Sequence, residues 1–212
     1  MKIEYLGHSC FKITAKNGTS VLTDPYTRVG YELPENISAD IVTVSHSHFD
    51  HNYTQALKGS PQIIKTEDRQ SFNGVEIEGV LSWHDERGGA LRGANIIFKL
   101  EIDGLRICHF GDLGEPCSPS LVKAIGKVDI LLIPVGGTYT IDALEAKRFV
   151  DAIAPKMVIP MHYKPNDGTI DITDEKPFLS LFDEVEDLGD NALYITALTE
   201  EKTKIVFMER KK

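Results

Sequence analysis

The hexapeptide His46-Ser47-His48-Phe49-Asp50-His51 places three imidazoles and one carboxylate directly after the apolar run Ile41-Val42-Thr43-Val44. A short, nearly continuous apolar run marks a strand covered on both faces. The fold must therefore let a loop leave a buried strand and present several metal-ligating side chains at once. In extended chain, positions 46, 48 and 50 face one side and position 51 the other. Such a loop can serve two adjacent metal ions. The alternatives, a solvated loop or an adventitious metal site, do not explain so specific a spacing.

The rest of the chain supplies a sheet to carry this loop. Strands are predicted over 11–15 and 19–23, flanking Lys16-Asn17-Gly18, and over 96–102 and 105–110, joined by Asp103-Gly104. Asn-Gly and Asp-Gly are strong hairpin turns. Residues 75–80 alternate apolar and polar, and 128–135, 157–161, 192–196 and 203–208 read as further strands. A short helix is predicted over 54–58, closed by Gly59. Ser118-Pro119 reads as a cap and first turn, with Gly126 as the stop. Asp142 and Glu145 have capping-box spacing before a helix that Pro155 ends. Phe178, Leu181, Phe182 and Val185 predict an amphipathic helix stopped by Gly189. Strands alternating with helices, with hairpins added, predict an α/β or α+β layered domain. No linker divides the 212 residues, so one domain over 1–212 is expected.

With 23 basic and 32 acidic side chains the formal charge is −9, which argues against a nucleic-acid backbone binder. The longest apolar run, around 130–135, is far shorter than the ~20 residues of a membrane span. The first residues lack the apolar core of a signal peptide. Cys10, Cys108 and Cys117 form no C-x-x-C pair, so no disulfide framework is expected, and a cytoplasmic location follows by elimination. The expected partner is a small-molecule substrate. Nucleic acid and membrane are not expected, and a homo-oligomer stays open.

Three more polar residues fall where predicted strands end: His84, Asp112 and His162. Taken singly, a buried hydrogen-bonded histidine or a turn aspartate explains each. Beside the hexapeptide they read as ligands, because strand ends converge on one edge of a sheet and a two-metal site needs a bridging carboxylate. No cysteine belongs to the set, which favours an open catalytic centre over a closed structural one. Imidazole and carboxylate suit Zn²⁺, with Mn²⁺ and Fe²⁺ as alternatives.

The H-x-H-x-D-H stretch, followed in order by His84, Asp112 and His162, resembles the metallo-β-lactamase superfamily. The segments LGHSCF at 6–11, Asp24-Pro25, HDERGGALRGAN at 84–95, PVGGTYT at 134–140 and 160–163 resemble its small branch that includes ascorbate-phosphate lactonase-like proteins. The resemblance implies a four-layer αββα sandwich with the site at one edge between two sheets. It also implies that His46, His48 and His84 hold a first metal, that Asp50, His51 and His162 hold a second, and that Asp112 bridges them. Asp24 is implied to orient a ligand; otherwise it is a turn residue before Pro25. Two divalent ions lower the pKa of a shared water toward ~7, so attack on a carbonyl carbon or a phosphorus needs no serine or cysteine nucleophile.

Asp50, His8 and Tyr139 are the catalytic candidates. Tyr139 is read as an acid or oxyanion donor or as a core residue, and His8 as a substrate contact or a loop histidine. Arg87, Arg92 and Tyr163 are candidate substrate contacts; for the arginines a solvated charged loop is the alternative. His109, three residues before Asp112, reads as a residue behind the ligands or in the core. The expected activity is metal-dependent hydrolysis of a small ester, lactone or phosphodiester. Nuclease or RNA-processing activity, and a non-catalytic metal-binding or sensing role, are the competing readings.

Overall fold

The computed structural model describes residues 1–199 and 202–211. Its elements run β1 (Lys2–Gly7), β2 (Cys10–Thr14), β3 (Ser20–Thr23), β4 (Ile41–Thr43), β5 (Gln62–Ile64), β6 (Gln70–Phe72), β7 (Val75–Trp83), β8 (Ala94–Ile102), β9 (Leu105–His109), α1 (Pro119–Ile125), β10 (Ile130–Pro134), α2 (Ala143–Ile153), β11 (Met157–Met161), α3 (Lys176–Leu179), β12 (Val185–Asp187), β13 (Ala192–Tyr194) and β14 (Lys204–Phe207). A 3-10 turn occupies Thr54–Ala56, where the sequence predicted a short helix.

The strands form two sheets. One has the order β13-β1-β2-β3-β4-β5 and the other β12-β14-β11-β10-β9-β8-β7-β6. The period of two along a strand separates two sets of core residues. Ile3, Tyr5, Phe11, Ile13, Val21, Ile41 and Ile64 join the main core between the sheets. Their neighbours Leu6, Cys10, Leu22, Val42 and Val44 face the other way, under a cover made by Tyr26, Val29 and Ile37. The six-stranded sheet is thus buried on both faces, but its outer cover is mostly loop and one 3-10 turn. The regular helices pack on the eight-stranded sheet: Phe149 of α2 meets Phe110 edge-on at 5.2 Å, and Leu121, Ile125, Ala146 and Phe178 join the same core.

Local chemistry explains most boundaries. Asp103 and Gly104 both have positive φ, 54° and 79°, as the tight β8–β9 turn requires. The Ser118 hydroxyl accepts the Leu121 N–H, and Asp142 accepts the Glu145 N–H at 2.9 Å. The reciprocal half of the predicted capping box is absent, because Glu145 accepts the Cys117 N–H instead. The helix predicted through 178–185 is only four residues long. Val185 is taken into β12, which pairs in parallel with β14 through Val185–Ile205. Pairing at the sheet edge overrides the helical spacing of the apolar residues.

Topology determines where the polar residues go. In the six-stranded sheet β1, β3 and β4 point the same way, with antiparallel β2 between β1 and β3. In the other sheet β7, β9, β10 and β11 share one direction, with antiparallel β8 between β7 and β9. His8 follows β1, Asp24 follows β3, and residues 46–51 come shortly after β4. His84 follows β7, Asp112 comes shortly after β9, Tyr139 lies beyond β10 and His162 follows β11. Every one lies beyond the C-terminal end of a strand, where sheets of this kind gather their sites.

Candidate metal centre

Two groups of ligand atoms meet at that edge. His46, His48 and His84 form one; His8, Asp50, His51 and His162 form the other, with the atoms of each group within 4.8 Å of one another. Asp112 lies between them. Its Oδ2 is 3.1 Å from His51 Nε2, 3.2 Å from His162 Nε2, 3.3 Å from His84 Nε2 and 3.9 Å from His46 Nε2. Two donors bound about 2.0–2.1 Å from one ion at a tetrahedral angle lie about 3.3 Å apart. The separations to His51, His162 and His84 match the edges of a coordination shell, and His46 stands farther off.

The outer hydrogen bonds of His46, His51 and His84 fix which of their nitrogens faces inward. His51 Nδ1 lies 2.8 Å from Asp24 Oδ2, and a carboxylate can only accept, so Nδ1 carries the proton. His84 Nδ1 likewise faces the Tyr139 carbonyl at 3.1 Å. The Ser45 hydroxyl gives its one proton to Asp24, so it accepts from His46 Nδ1 at 2.9 Å. With the rings neutral, as metal ligation requires, each Nε2 carries a lone pair on the Asp112 side. His46 Nε2, His51 Nε2 and Asp112 Oδ1 are buried without a hydrogen-bond partner. Inward lone pairs crowded around an acceptor-only carboxylate are a poor arrangement for an empty core and a good one for a divalent cation. The residues present fit the metal.

Burial and charge act together on these groups. Asp112 is buried, which raises its carboxyl pKa, but His162 and His51 outweigh that and hold it well below the usual carboxylate range. Asp24 is lowered in the same way by His51 and His109, against its burial. Desolvation lowers His46 well below its ordinary value and also lowers His48. Burial, then the neighbouring His162, pushes His8 down to about 4. His51 goes the other way: Asp112 and Asp24 outweigh its burial and raise it well above the ordinary value.

All seven predicted ligands are thus brought together, and His8 joins them. Asp24 is more than a turn residue: it accepts from Ser45 N at 2.8 Å, from the Ser45 hydroxyl and from His51, and so steadies one ligand of each group. His109 has no nitrogen to spare. Its Nε2 donates to the Ser9 carbonyl at 2.8 Å and its Nδ1 accepts the Gly111 N–H, so it braces the site from behind.

The substrate candidates separate. Tyr139 lends its carbonyl to His84, and its exposed ring lies 5.6 Å from the Arg92 guanidinium. Arg92 also donates to the Thr138 carbonyl and lines a cavity of about 380 Å³ with His46, His48, Lys65 and Leu81. Arg87 is 68% exposed beside Glu86. Tyr163 is buried instead, packed against Tyr5 and Phe207, with its hydroxyl donating to the Met208 carbonyl. One residue beyond His162, its side chain turns into the core and not toward the histidines.

Sequence reasoning missed three supporting residues. Asn95 is buried in β8; its Oδ1 accepts the Asp112 N–H at 2.9 Å, and its amide donates to Ser82 and the Phe110 carbonyl. An asparagine inside an apolar strand is unusual and was the available signal. Asp85 accepts the backbone N–H groups of Arg87, Gly89, Leu91 and Arg92, holding the loop that carries Arg92. Burial raises the Asp85 carboxyl pKa, and these four donors outweigh it and bring it below its usual value. Ser45, beside the histidines, gave no signal of its own. Gly111 is required: its φ is 55°, and a Cβ there would collide with Asn95 and Ser45.

Comparison with known proteins identifies the family. Residues 2–162 match the family described as Beta-lactamase superfamily domain. The UPF0173 metal-dependent hydrolase of Carboxydothermus hydrogenoformans is 31% identical over 192 residues, covering 77% of this chain and 84% of that protein. A UPF0173 protein of Pyrococcus abyssi is 32% identical over 185 residues, covering 77% and 83%. A crystal structure of a metallo-β-lactamase superfamily protein from Thermotoga maritima superposes with a TM-score of 0.82 at 38% identity, covering 98% of this chain and 99% of that one. With its ligand-bearing loops on a two-sheet frame of this kind, the chain belongs to the metallo-β-lactamase superfamily and is a metal-dependent hydrolase.

Proposed function

We propose that the protein is a dinuclear hydrolase that cleaves a small ester, lactone or phosphodiester. The observation that carries this reading is the position of Asp112, whose Oδ2 lies within 3.3 Å of histidines from both ligand groups. His46, His48 and His84 would hold one divalent ion, and Asp50, His51 and His162 the other, with Asp112 shared. Zn²⁺ suits the donors best, with Mn²⁺ and Fe²⁺ as alternatives. Bound metals of this kind supply a water acidic enough to ionise near neutral pH and a positive field for the charge that develops during hydrolysis.

The chain's own residues do the rest. Asp24 and Ser45 hold the His51 and His46 rings in one tautomer. Asn95 fixes the backbone of Asp112. The cavity beside His46 and His48 is large enough for a metabolite-sized ligand, and its two cations, Lys65 and Arg92, outnumber its one acid, Glu67, which favours a substrate with a phosphate or carboxylate group. The exposed Tyr139 ring lies against Arg92, one of the lining residues. Elemental analysis of purified protein, followed by a panel of chromogenic esters and phosphodiesters, tests the reading. Two metals per chain with turnover abolished by chelation is the expected result. Fully loaded protein that turns over nothing in the panel contradicts it.

A further inference from the structure

His8 lies outside the ligand set that the signature supplies, yet the fold gives it a ligand's place. We infer that His8 is an additional protein ligand of the second metal, which rests on the two-metal reading above. Its Nε2 is 3.2 Å from Asp50 Oδ2, at the upper end of the hydrogen-bond range and close to the separation of two donors on one ion. Its ring centroid is 4.3 Å from that of His162 and 4.9 Å from that of His51. The imidazole is buried.

The backbone shows that this position is imposed. His8 has φ 54°, a conformation non-glycine residues seldom adopt. Three hydrogen bonds hold it there: its N–H donates to the Tyr31 hydroxyl at 3.0 Å, and its carbonyl accepts from the His162 N–H at 2.8 Å and the Tyr5 hydroxyl at 3.2 Å. Backbone strain of this kind gathers where a site needs a side chain aimed. The His162 contact also ties the turn after β1 to a ligand on the opposite sheet, so His8 and His162 are positioned as a pair. With Asp50, His51, His162 and the shared Asp112, His8 brings the second shell to five protein donors. Four-coordinate zinc takes fewer, so with His8 as a ligand the preference at the second site moves from Zn²⁺ to Mn²⁺ or Fe²⁺.

The test uses Co²⁺ as the probe. In a crystal structure of the Co²⁺-loaded protein, His8 Nε2 is expected at roughly 2.1 Å from the second ion, the metal–imidazole distance. In solution, His8→Asn keeps a residue that tolerates positive φ and removes the imidazole. Its second Co²⁺ is expected to bind at least tenfold more weakly, with the first unchanged and the visible cobalt spectrum altered. His8→Ala is the second variant. Wild-type protein that binds two Co²⁺ with His8 Nε2 more than 3 Å from either ion overturns the assignment, as does wild-type second-site affinity in both variants. Wild-type protein that binds a single ion overturns the two-metal reading itself.

Discussion

One carboxylate sits at the root of both ligand groups. Asp24 reaches His51 directly and His46 through the Ser45 hydroxyl, and all three are buried or nearly so. Removing such a partner typically lowers metal affinity 10–100-fold. Asp24→Ala is expected to weaken both metals by about that factor, measured by competition with a chromophoric chelator. Loss confined to one metal would show that the Ser45 link to His46 is idle. The candidate ligands at 46–51 were legible because their spacing is short and the strand before them is strongly apolar, and His84, Asp112 and His162 because each follows a predicted strand. His8 was legible only as a candidate for substrate contact, not as a ligand, because its approach to Asp50 depends on how the turn after β1 meets the loop after β4. Tyr163 was misplaced for a related reason: a strand-end residue alternates faces, and the sequence does not say which face lies toward the site.

Whole elements carry the ligands, and their supports are side chain to backbone. Asn95 links β8 to the Asp112 N–H and the Phe110 carbonyl. Asn95→Leu would leave those two groups unpaired in the interior, at about 1–3 kcal/mol each, while the Ser82 hydroxyl keeps its bond to the residue-95 carbonyl. It is expected to lower stability by about 2–4 kcal/mol in urea unfolding and to weaken metal binding; unchanged unfolding would contradict the bracing role. Asp85 acts on a loop. Asp85→Ala releases four N–H groups between Arg87 and Arg92. The expected outcome is a severalfold rise in KM with metal content retained, and equal kinetics would remove the loop from substrate binding. Asn95 offered only its place in an apolar strand, because the groups it bonds lie far along the chain, and Asp85 bonds the backbone of its own loop, whose shape no residue spacing announces. The failed helix at 178–185 has the same origin, since the periodicity was real but β14 offered Val185 a strand to pair with.

At the scale of the molecule, seven strand ends from two sheets converge, and the price is a buried cluster of titratable groups. In the metal-free protein His8, His46, His48 and His109 have lowered pKa values, whereas His51 is raised. A lowered histidine contributes stability that is complete above its unfolded pKa of about 6.5 and is lost as pH falls toward the folded value. His51 contributes in the opposite sense, with stability present below about 6.5 and lost as pH rises through its folded value. Four groups against one predict that the metal-free protein is less stable at pH 5 than at pH 7, read as a lower urea midpoint. A midpoint that rises on acidification would mean that His51 dominates. Metal binding follows the same direction, because protons compete for the ligand lone pairs.

The central claim is that Asp112 joins two metal sites in one centre. Anomalous diffraction from a crystal of metal-loaded protein tests it most directly. The account predicts two peaks, one among His46, His48 and His84 and one among Asp50, His51 and His162, with the Asp112 carboxylate between them. A single peak, or two peaks that Asp112 does not touch, would contradict it.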